Sequence, residues 1–283
     1  MTDSGPIVIL GARGTLGQQL SLIFPNALTF DRAELDVTNE PAVRAKLSAI
    51  PNLSVVINCV AYNDVDGAET NKDAAFLLNA TVPGQLAALC KSLGTVFVHY
   101  STGYVFAGDQ DSYAETDQPR AISVYAESKM KGEQAVSQTG GQYYIIRTNV
   151  LFGPKGQSDA SKPSFVDIMV TLAKKTSEIK AVEDEINSIT YAPDLAAATK
   201  SLLAAANPPG IYHIVNSGYA SWYGLASQIF TDLGLKITLL PVPGSEFPRP
   251  ARRPARIVLQ NNKLPALRPW QEALAEYLKT ITI

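Results

Sequence analysis

Tyr125 and Lys129 are the pair of side chains in this sequence whose types and spacing suit proton transfer. They stand four residues apart in the segment YAESK, at the predicted start of a helix, where this spacing places both on one face. A phenol, with a pKa of about 10, exchanges protons poorly at neutral pH, and a neighbouring ammonium group favours the phenolate and lowers that pKa. Because the chain contains 12 tyrosines, such a pair also arises by chance, and its position in the fold must decide its role.

Thr102 ends the apolar run that begins at Val96, and it is the second residue of the motif STGYVFAG at 101–108. The helix that carries Tyr125 is the next one along the chain. In a doubly wound parallel sheet, ligands bind beyond the carboxyl ends of the strands. We therefore expect Thr102, Tyr125 and Lys129 to converge at one catalytic site.

A glycine-rich turn follows the first predicted strand, in the segment GARGTLG at residues 11–17. Glycines allow a tight turn and let backbone amides approach a diphosphate, and the start of the following helix adds N–H donors. The spacing is a variant of the more familiar G-x-G-x-x-G. A strand before the turn and a helix after it favour a dinucleotide site over a plain strand-to-helix connection.

Asp31 and Arg32 follow the second predicted strand and point to different cofactors. Asp31 would accept hydrogen bonds from both hydroxyls of an adenosine ribose, whereas Arg32 would attract a 2′-phosphate. The pair therefore leaves both NADH and NADPH open, and the alternative is that both residues belong only to a turn. Asp36 and Val37 lie close behind and are predicted to edge the adenine.

Short apolar segments alternate with helical patterns through the first half of the chain, which is typical of parallel strands covered on both faces. The predicted strands are 7–11, 54–61, 95–102, 143–152 and 211–215, and the predicted helices are 16–24, 40–50, 73–79, 83–93, 125–138, 165–175 and 194–206. This order predicts an α/β fold with an open, doubly wound parallel sheet and a smaller C-terminal lobe. We predict a cofactor-binding domain of residues 1–153 plus about 187–215, and a substrate-binding lobe of about 154–186 plus 216–283.

The composition is that of an ordinary globular protein, with 18% charged residues and a net charge of −2. No cationic surface for nucleic acid or an anionic membrane is predicted. The two cysteines make no disulfide framework, and no cluster of histidine, cysteine and carboxylate has metal-ligand spacing. We see no signal peptide and no membrane-spanning stretch, so the expectation is a cytoplasmic protein that binds no metal.

Several motifs together resemble one known family. GARGTLG, Asn58 with Ala61, STGYVFAG and YAESK resemble the extended short-chain dehydrogenases/reductases, and the match is closest to the dTDP-4-dehydrorhamnose reductase family. The more specific segments are IYHIVNSGYASWYGLA at 211–226 and FPRPARRP at 247–254. The resemblance covers almost the whole chain and implies a Rossmann fold, an NADPH or NADH cofactor and a nucleotide-sugar substrate. A homodimer is an open possibility.

The resemblance also implies roles for individual residues. Tyr125 would protonate the sugar C4 oxygen as hydride arrives, Lys129 would bind the nicotinamide ribose, and Thr102 would orient the carbonyl. The residues predicted to bind the cofactor are Gly11, Arg13, Gly14, Thr15, Leu16, Asp31, Arg32, Asp36, Val37, Val60, Ala61 and Tyr62, with Tyr125 and Lys129. The residues predicted to contact the substrate are Thr102, Gly103, Val150, Arg249 and Arg253, the two arginines through its diphosphate.

Four positions depart from the family pattern. Gly103 replaces an aspartate, Val150 an aromatic residue, Arg256-Ile257 an Asn-Ser pair and Ile189-Thr190 a Pro-Thr pair. Three of these lie where the resemblance places the sugar, so the sequence leaves open which nucleotide sugar is the substrate. Two alternatives also stay open: an epimerase of the same fold, and a non-catalytic NADP-binding subunit similar to the regulatory subunit of methionine adenosyltransferase.

Overall fold

The structure is a computed structural model and describes residues 5–158 and 161–281. Its α-helices are α1 (Thr15–Ile23), α2 (Glu40–Ser48), α3 (Lys72–Phe76), α4 (Val82–Leu93), α5 (Val124–Gln138), α6 (Phe165–Ala173), α7 (Ala192–Ala204), α8 (Trp222–Asp232) and α9 (Trp270–Leu278). Its strands are β1 (Ile7–Leu10), β2 (Leu28–Phe30), β3 (Val55–Asn58), β4 (Val96–Thr102), β5 (Tyr143–Thr148), β6 (Leu151–Phe152), β7 (Glu178–Val182), β8 (Ile186–Ser188), β9 (Thr190–Tyr191), β10 (Gly210–His213), β11 (Asn216–Ser217), β12 (Tyr219–Ser221), β13 (Thr238–Val242), β14 (Arg256–Ile257) and β15 (Leu267–Pro269). A π-helical turn, Leu77–Thr81, joins α3 to α4.

Six parallel strands form the central sheet, in the order β10-β5-β4-β3-β1-β2. The chain reverses its direction of winding between β1 and β3, and the carboxyl ends of neighbouring strands on either side of such a reversal form a crevice. The predicted doubly wound parallel sheet is confirmed. In its register Thr102 lies opposite Thr148, at the same edge of the sheet as the glycine-rich turn after β1.

Both faces of the sheet are covered by apolar side chains. One core contains Val8, Val56 and Phe97 together with residues of α2 and α4. The opposite core contains Ile9, Ile57 and Val98 with residues of α1 and α7. Because adjacent residues of a strand point to opposite faces, the continuous apolar runs in the sequence fill both cores.

A separate core holds the elements that follow β5. Residues of α6, α8 and α9 surround Phe152, Ile179 and Tyr191, and short strand pairs (β13-β7, β6-β9) and the three-stranded β12-β8-β14 sheet lie around them. None of the helices within 5–158 and 161–281 has the length and apolarity to cross a membrane.

Two predictions for the second half of the chain are wrong in detail, and one helix was not predicted. The predicted strand 143–152 divides into β5 and β6 because Val150 has a positive φ of 35°. The five prolines of the segment 241–254 predict an extended, exposed segment, whereas Val242 and Ala251 within it are buried. Helix α9 was not predicted, although its buried residues recur at the i, i+3, i+4, i+7 spacing of an amphipathic helix.

Candidate active site

Helix α5 presents one buried face to the carboxyl ends of the strands. Its start is capped by Ser123, whose hydroxyl accepts a hydrogen bond from the Ala126 amide at 3.3 Å. Tyr125, Lys129 and Glu133 follow at four-residue intervals and are all buried. The helix approaches the π-helical turn so closely at Gly132 that a β-carbon there would overlap the backbone of Asn79.

Thr102, at the end of β4, lies near Tyr125, at the start of α5. The Thr102 hydroxyl accepts a hydrogen bond from the Tyr104 amide at 3.1 Å, and it lies close enough to the Tyr125 phenol to influence its pKa. Burial raises the pKa of Tyr125 to about 12, and the Thr102 hydroxyl opposes that shift. The phenol therefore holds its proton at neutral pH and can release it only to a strongly basic oxygen.

Lys129 lies on the same helical face, but its ammonium group has a different partner. Its Nζ donates a hydrogen bond to the Tyr100 carbonyl at 2.6 Å. Burial lowers the pKa of Lys129 to about 8, while the Glu133 carboxylate acts in the opposite direction. The expected lowering of the Tyr125 pKa by Lys129 is not observed, because burial, Thr102 and Tyr104 are the influences on that pKa and burial is the largest of them.

The glycine-rich turn has the geometry that a diphosphate requires. Gly11 has a φ of 77° and donates its amide to the Phe30 carbonyl at 2.8 Å, and a side chain at Gly17 would overlap the Gly11 carbonyl. Gly14 occupies the N-cap position of α1 without a side-chain cap, so the first amides of the helix have no side-chain acceptor. These features fit an anion at the start of α1.

The segment 154–158 lies against this turn. The Gln18 side chain donates to the carbonyls of Pro154 (2.7 Å) and Lys155 (3.0 Å), and the Ser158 amide donates to the Arg13 carbonyl at 3.0 Å. A β-carbon at Gly156 would come within 2.5 Å of the Thr15 nitrogen. The segment therefore covers the amide of Thr15, one of the residues predicted to hold the cofactor.

The residues predicted to meet the adenosine lie at the ends of β1 and β2. Arg13 pairs with Asp31 at 3.2 Å, and this hydrogen bond holds the pKa of Asp31 below its usual value. Arg32 is almost fully exposed and lies 4.0 Å from the Asp36 carboxylate. Val37 instead points into the core beside α2.

The segment after β3 lies beside the glycine-rich turn. A β-carbon at Gly11 would be 3.0 Å from the Val60 side chain, and the Val60 amide donates to Asn58 at 3.1 Å. The Tyr62 backbone makes two hydrogen bonds with the Asn79 side chain, at 2.9 and 3.0 Å. Val60, Ala61 and Tyr62 therefore form a fixed wall next to the predicted diphosphate position.

Gly103 leaves no empty space where a side chain is missing. A β-carbon at this position would overlap the Cγ2 atom of Ile257 and lie 3.4 Å from Leu259, and both side chains are buried. Two departures from the family pattern, at 103 and at 257, are thus in contact with each other. Val150 packs against the core formed by α6, α8 and α9.

The two arginines predicted to bind the substrate each pair with a carboxylate. Arg249 pairs with Glu185, which also accepts a hydrogen bond from the Trp222 indole at 3.0 Å. Arg253 pairs with Asp66 at 2.7 Å. Sequence reasoning did not identify Glu185 or Asp66, because their partners lie 64 and 187 residues away.

Comparisons with known proteins agree on one family. The model described as "RmlD substrate binding domain" matches residues 5–283. The chain is 35% identical to the dTDP-4-dehydrorhamnose reductase of Burkholderia thailandensis, over 91% of each protein. It is 37% identical to a probable dTDP-4,6-dihydroxy-2-methyloxan-3-one 4-ketoreductase of Streptomyces antibioticus, over 95% of this chain and 93% of that protein. The crystal structure of dTDP-4-dehydrorhamnose reductase from Bacillus anthracis in complex with NADP matches with a TM-score of 0.91 and 33% identity, over 99% of this chain and 100% of that one.

Proposed function

The chain belongs to the dTDP-4-dehydrorhamnose reductase family, and from that membership we propose which residues carry out its reaction. It is an oxidoreductase that reduces the ketone of a nucleotide-linked sugar with NADPH. The observation that supports a catalytic role for named residues is the burial of Thr102, at the carboxyl end of β4, close to Tyr125, with Lys129 one turn further along the same face of α5.

Tyr125 is the proposed proton donor. NADPH, when bound, supplies the hydride to the C4 carbon of the ketone. The C4 oxygen then gains negative charge, and the Tyr125 phenol transfers its proton to that oxygen to complete the alcohol. The raised pKa of Tyr125 keeps the proton in place until an alkoxide forms, and the Thr102 hydroxyl stabilises the phenolate that remains.

Lys129 is proposed to bind the nicotinamide ribose. Its ammonium group has three N–H donors, and the Tyr100 carbonyl accepts one of them. The other two are free to reach ribose hydroxyls. With a pKa of about 8, most of the Lys129 side chains are charged at neutral pH.

The glycine-rich turn and Arg13 are proposed to hold the rest of the cofactor. The amides of Gly14, Thr15 and Leu16 would bind the diphosphate once the segment 154–158 moves away from the Thr15 amide. Arg13 neutralises Asp31, so that the carboxylate no longer repels a 2′-phosphate and the exposed Arg32 can attract one. This arrangement favours NADPH over NADH.

Arg249 and Arg253 are proposed to hold the diphosphate of the sugar nucleotide. The diphosphate would replace or share the carboxylates of Glu185 and Asp66 as partners of the guanidinium groups. The relatives act on dTDP-linked sugars by their names, and we propose the same nucleotide here. Gly103 would contribute through its backbone, since Ile257 fills the space beside it, and Val150 would line the sugar position.

We also propose that residues 1–153 with about 187–215 bind the cofactor, while about 154–186 with 216–283 bind the substrate. The separate core of α6, α8 and α9 supports this division. A cytoplasmic location and a homodimer remain predictions. Light scattering during gel filtration measures the oligomeric state.

The test uses purified protein, NADPH and a panel of dTDP-linked 4-keto-6-deoxy sugars. We expect loss of NADPH absorbance with at least one of them. Tyr125→Phe should reduce kcat about 10²- to 10⁴-fold and change the Kd for NADPH far less, since the phenylalanine preserves the packing and loses only the hydroxyl. Full activity in Tyr125→Phe would refute the proposed proton donor. Cofactor binding without turnover of any nucleotide sugar would instead support a regulatory subunit.

A further inference from the structure

We propose that Glu133 is a positioning residue for Lys129, whose ammonium group it keeps charged and directed at the cofactor cleft. The inference rests on the ribose-binding role proposed above for Lys129. Glu133 itself is not placed to touch cofactor or substrate, so it acts through Lys129.

The two side chains are buried neighbours on α5. Lys129 is 3% exposed and Glu133 is 4% exposed. Residues four apart on a helix have β-carbons about 5–6 Å from each other on the same face. A carboxylate and an ammonium group at this spacing, both shielded from water, interact more strongly than they would at the surface.

Arg147 fixes the Glu133 carboxylate in place. The Arg147 Nε donates to Oε1 of Glu133 at 2.9 Å, and its Nη2 donates to Oε2 at 2.6 Å. The guanidinium group is 1% exposed, lies 4.9 Å from the centre of the Phe106 ring and has its Nη1 3.4 Å from Nε2 of His213. Both Glu133 oxygens are thus bonded to Arg147, whereas the Lys129 Nζ bonds the Tyr100 carbonyl, so the carboxylate acts on Lys129 from a fixed position through its charge and not through a direct ion pair.

Among the buried groups of the described residues, Glu133 is the negative charge that acts on Lys129. The buried titratable and charged side chains nearest Lys129 and its Tyr100 partner are Cys59, His99, Tyr125, Glu133 and Arg147. The elements packed on α5 also carry Tyr104, Glu69, which accepts a hydrogen bond from the Val124 amide at 2.9 Å, and the exposed Lys72, Asp73 and Lys91. Burial lowers the pKa of His99 and raises the pKa values of Cys59 and Tyr125, so these three are neutral near pH 7. Arg147 is paired with the Glu133 carboxylate, and the same carboxylate acts on Lys129 through its charge.

Loss of the Glu133 carboxylate should favour the deprotonated, neutral form of the Lys129 side chain. Without Glu133, the uncharged Tyr100 carbonyl would be the partner that holds the ammonium group, and burial would favour the neutral amine. The pKa of Lys129 already lies at about 8, so a further decrease of about one unit would leave about half of the amines neutral at pH 7.

The experiment compares Glu133→Gln, Glu133→Asp, Arg147→Met and the double variant Glu133→Gln/Arg147→Met. The pH at which half of the Lys129 side chains are deprotonated, the Lys129 titration midpoint, is measured by NMR of lysine-labelled, unliganded protein. The Lys129 signal is assigned by its loss in Lys129→Met. The same variants are assayed for the pH dependence of kcat/KM and for unfolding in urea. The double variant removes the buried pair as a unit, so it stays informative if Glu133→Gln alone fails to fold.

We expect Glu133→Gln to lower the Lys129 titration midpoint by about one pH unit, and to shift the fall of kcat/KM at alkaline pH (the alkaline limb) by the same amount. Glu133→Asp should keep both near the wild-type values. Arg147→Met should lower the free energy of unfolding without shifting the Lys129 titration midpoint or the alkaline limb toward lower pH. The double variant should regain stability while keeping the acid shift, because the limb follows the charge at position 133. The inference would be overturned if Glu133→Gln had the wild-type Lys129 titration midpoint, or if the alkaline limb of kcat/KM in the double variant returned to its wild-type pH. The NMR midpoint is independent of turnover, so a protein that reduces no sugar still tests the charge on Lys129.

Discussion

Two adjacent residues at the end of β4, Thr102 and Gly103, contribute in different ways: the first through its side chain and the second through the absence of one. The Thr102 hydroxyl accepts a hydrogen bond from the Tyr104 amide and lies near the Tyr125 phenol, whose pKa it lowers. The absence of a side chain at Gly103 lets Ile257 and Leu259 from the C-terminal segment pack against its α-carbon. The same strand end thus provides a reactive hydroxyl and the contact that holds the C-terminal segment beside it.

The contact at Gly103 predicts coupled substitutions. Gly103→Ala should destabilise the protein by about 1–3 kcal/mol through overpacking against Ile257, and Ile257→Ala should cost about 2–5 kcal/mol through the cavity that it leaves. In the double variant the new methyl group occupies part of that cavity, so the combined loss in urea unfolding should be smaller than the sum. Additive losses would show that the two positions do not pack together.

At the scale of elements, the position of α5 depends on its close approach to the π-helical turn. Ser128, buried on α5, accepts a hydrogen bond from the Asn79 side chain at 3.0 Å, and Gly132 lies against the Asn79 backbone. Asn79 in turn holds the Tyr62 backbone. The helix that carries Tyr125 and Lys129 is therefore connected to the wall that follows β3.

Gly132→Ala should test this approach. The new β-carbon would overlap the Asn79 carbonyl and lie 3.1 Å from its carbon atom, so α5 must move and stability should fall by about 1–3 kcal/mol. Gly224→Ala in α8 is the matched control, because its β-carbon would meet no atom closer than 3.4 Å, and alanine is the better helix former. Equal urea midpoints for the two variants would contradict the close approach.

The packing of the segment 154–158 on α1 leads to a second prediction for an element. Gly156→Ala would bring a β-carbon within 2.5 Å of the Thr15 nitrogen, so the segment must separate from the turn. We expect faster hydrogen exchange at Thr15 and Leu16, and a lower Kd for NADPH because the uncovered turn is more populated. Lys155→Ala retains the carbonyl that Gln18 contacts and should leave exchange unchanged. Unchanged exchange in Gly156→Ala would refute the contact.

At the scale of the whole molecule, two buried histidines couple stability to pH. His99 and His213 are both fully buried in the sheet, and the sequence contains two histidines in all. Burial lowers the pKa of His213 to about 3, with Arg147 acting in the same direction, and it lowers the pKa of His99 well below its usual value. Both side chains therefore stay neutral in the folded protein, whereas in the unfolded chain they take up a proton below about pH 6.5.

The unfolded state therefore binds more protons below about pH 6.5, so the stability from these histidines is complete above that pH and is lost as the pH falls toward 3. From pH 6.5 to 5 we expect each histidine to remove about 2 kcal/mol of unfolding free energy, at about 1.4 kcal/mol per pH unit. His213→Gln should halve this pH dependence in urea unfolding between pH 7 and 5. The same dependence in the variant would show that His213 does not titrate on unfolding.

Much of this protein could be predicted from the sequence because the signals are local. The apolar runs of β1, β3 and β4 indicate strands buried on both faces, and the glycine spacing at 11–17 indicates a turn that backbone groups approach closely. The four-residue spacing of Tyr125 and Lys129 indicates a shared helical face. Each of these patterns depends on contacts within a few residues or on the period of one element.

Only the tertiary structure decided how the groups are paired and how deeply they are buried. It paired Glu133 with Arg147, Arg249 with Glu185 and Arg253 with Asp66, and it placed Ile257 beside Gly103. It also reversed the expected direction of the Tyr125 pKa. The physical reason is that burial and long-range contact depend on residues distant along the chain, which the local pattern around Tyr125 or Gly103 does not contain.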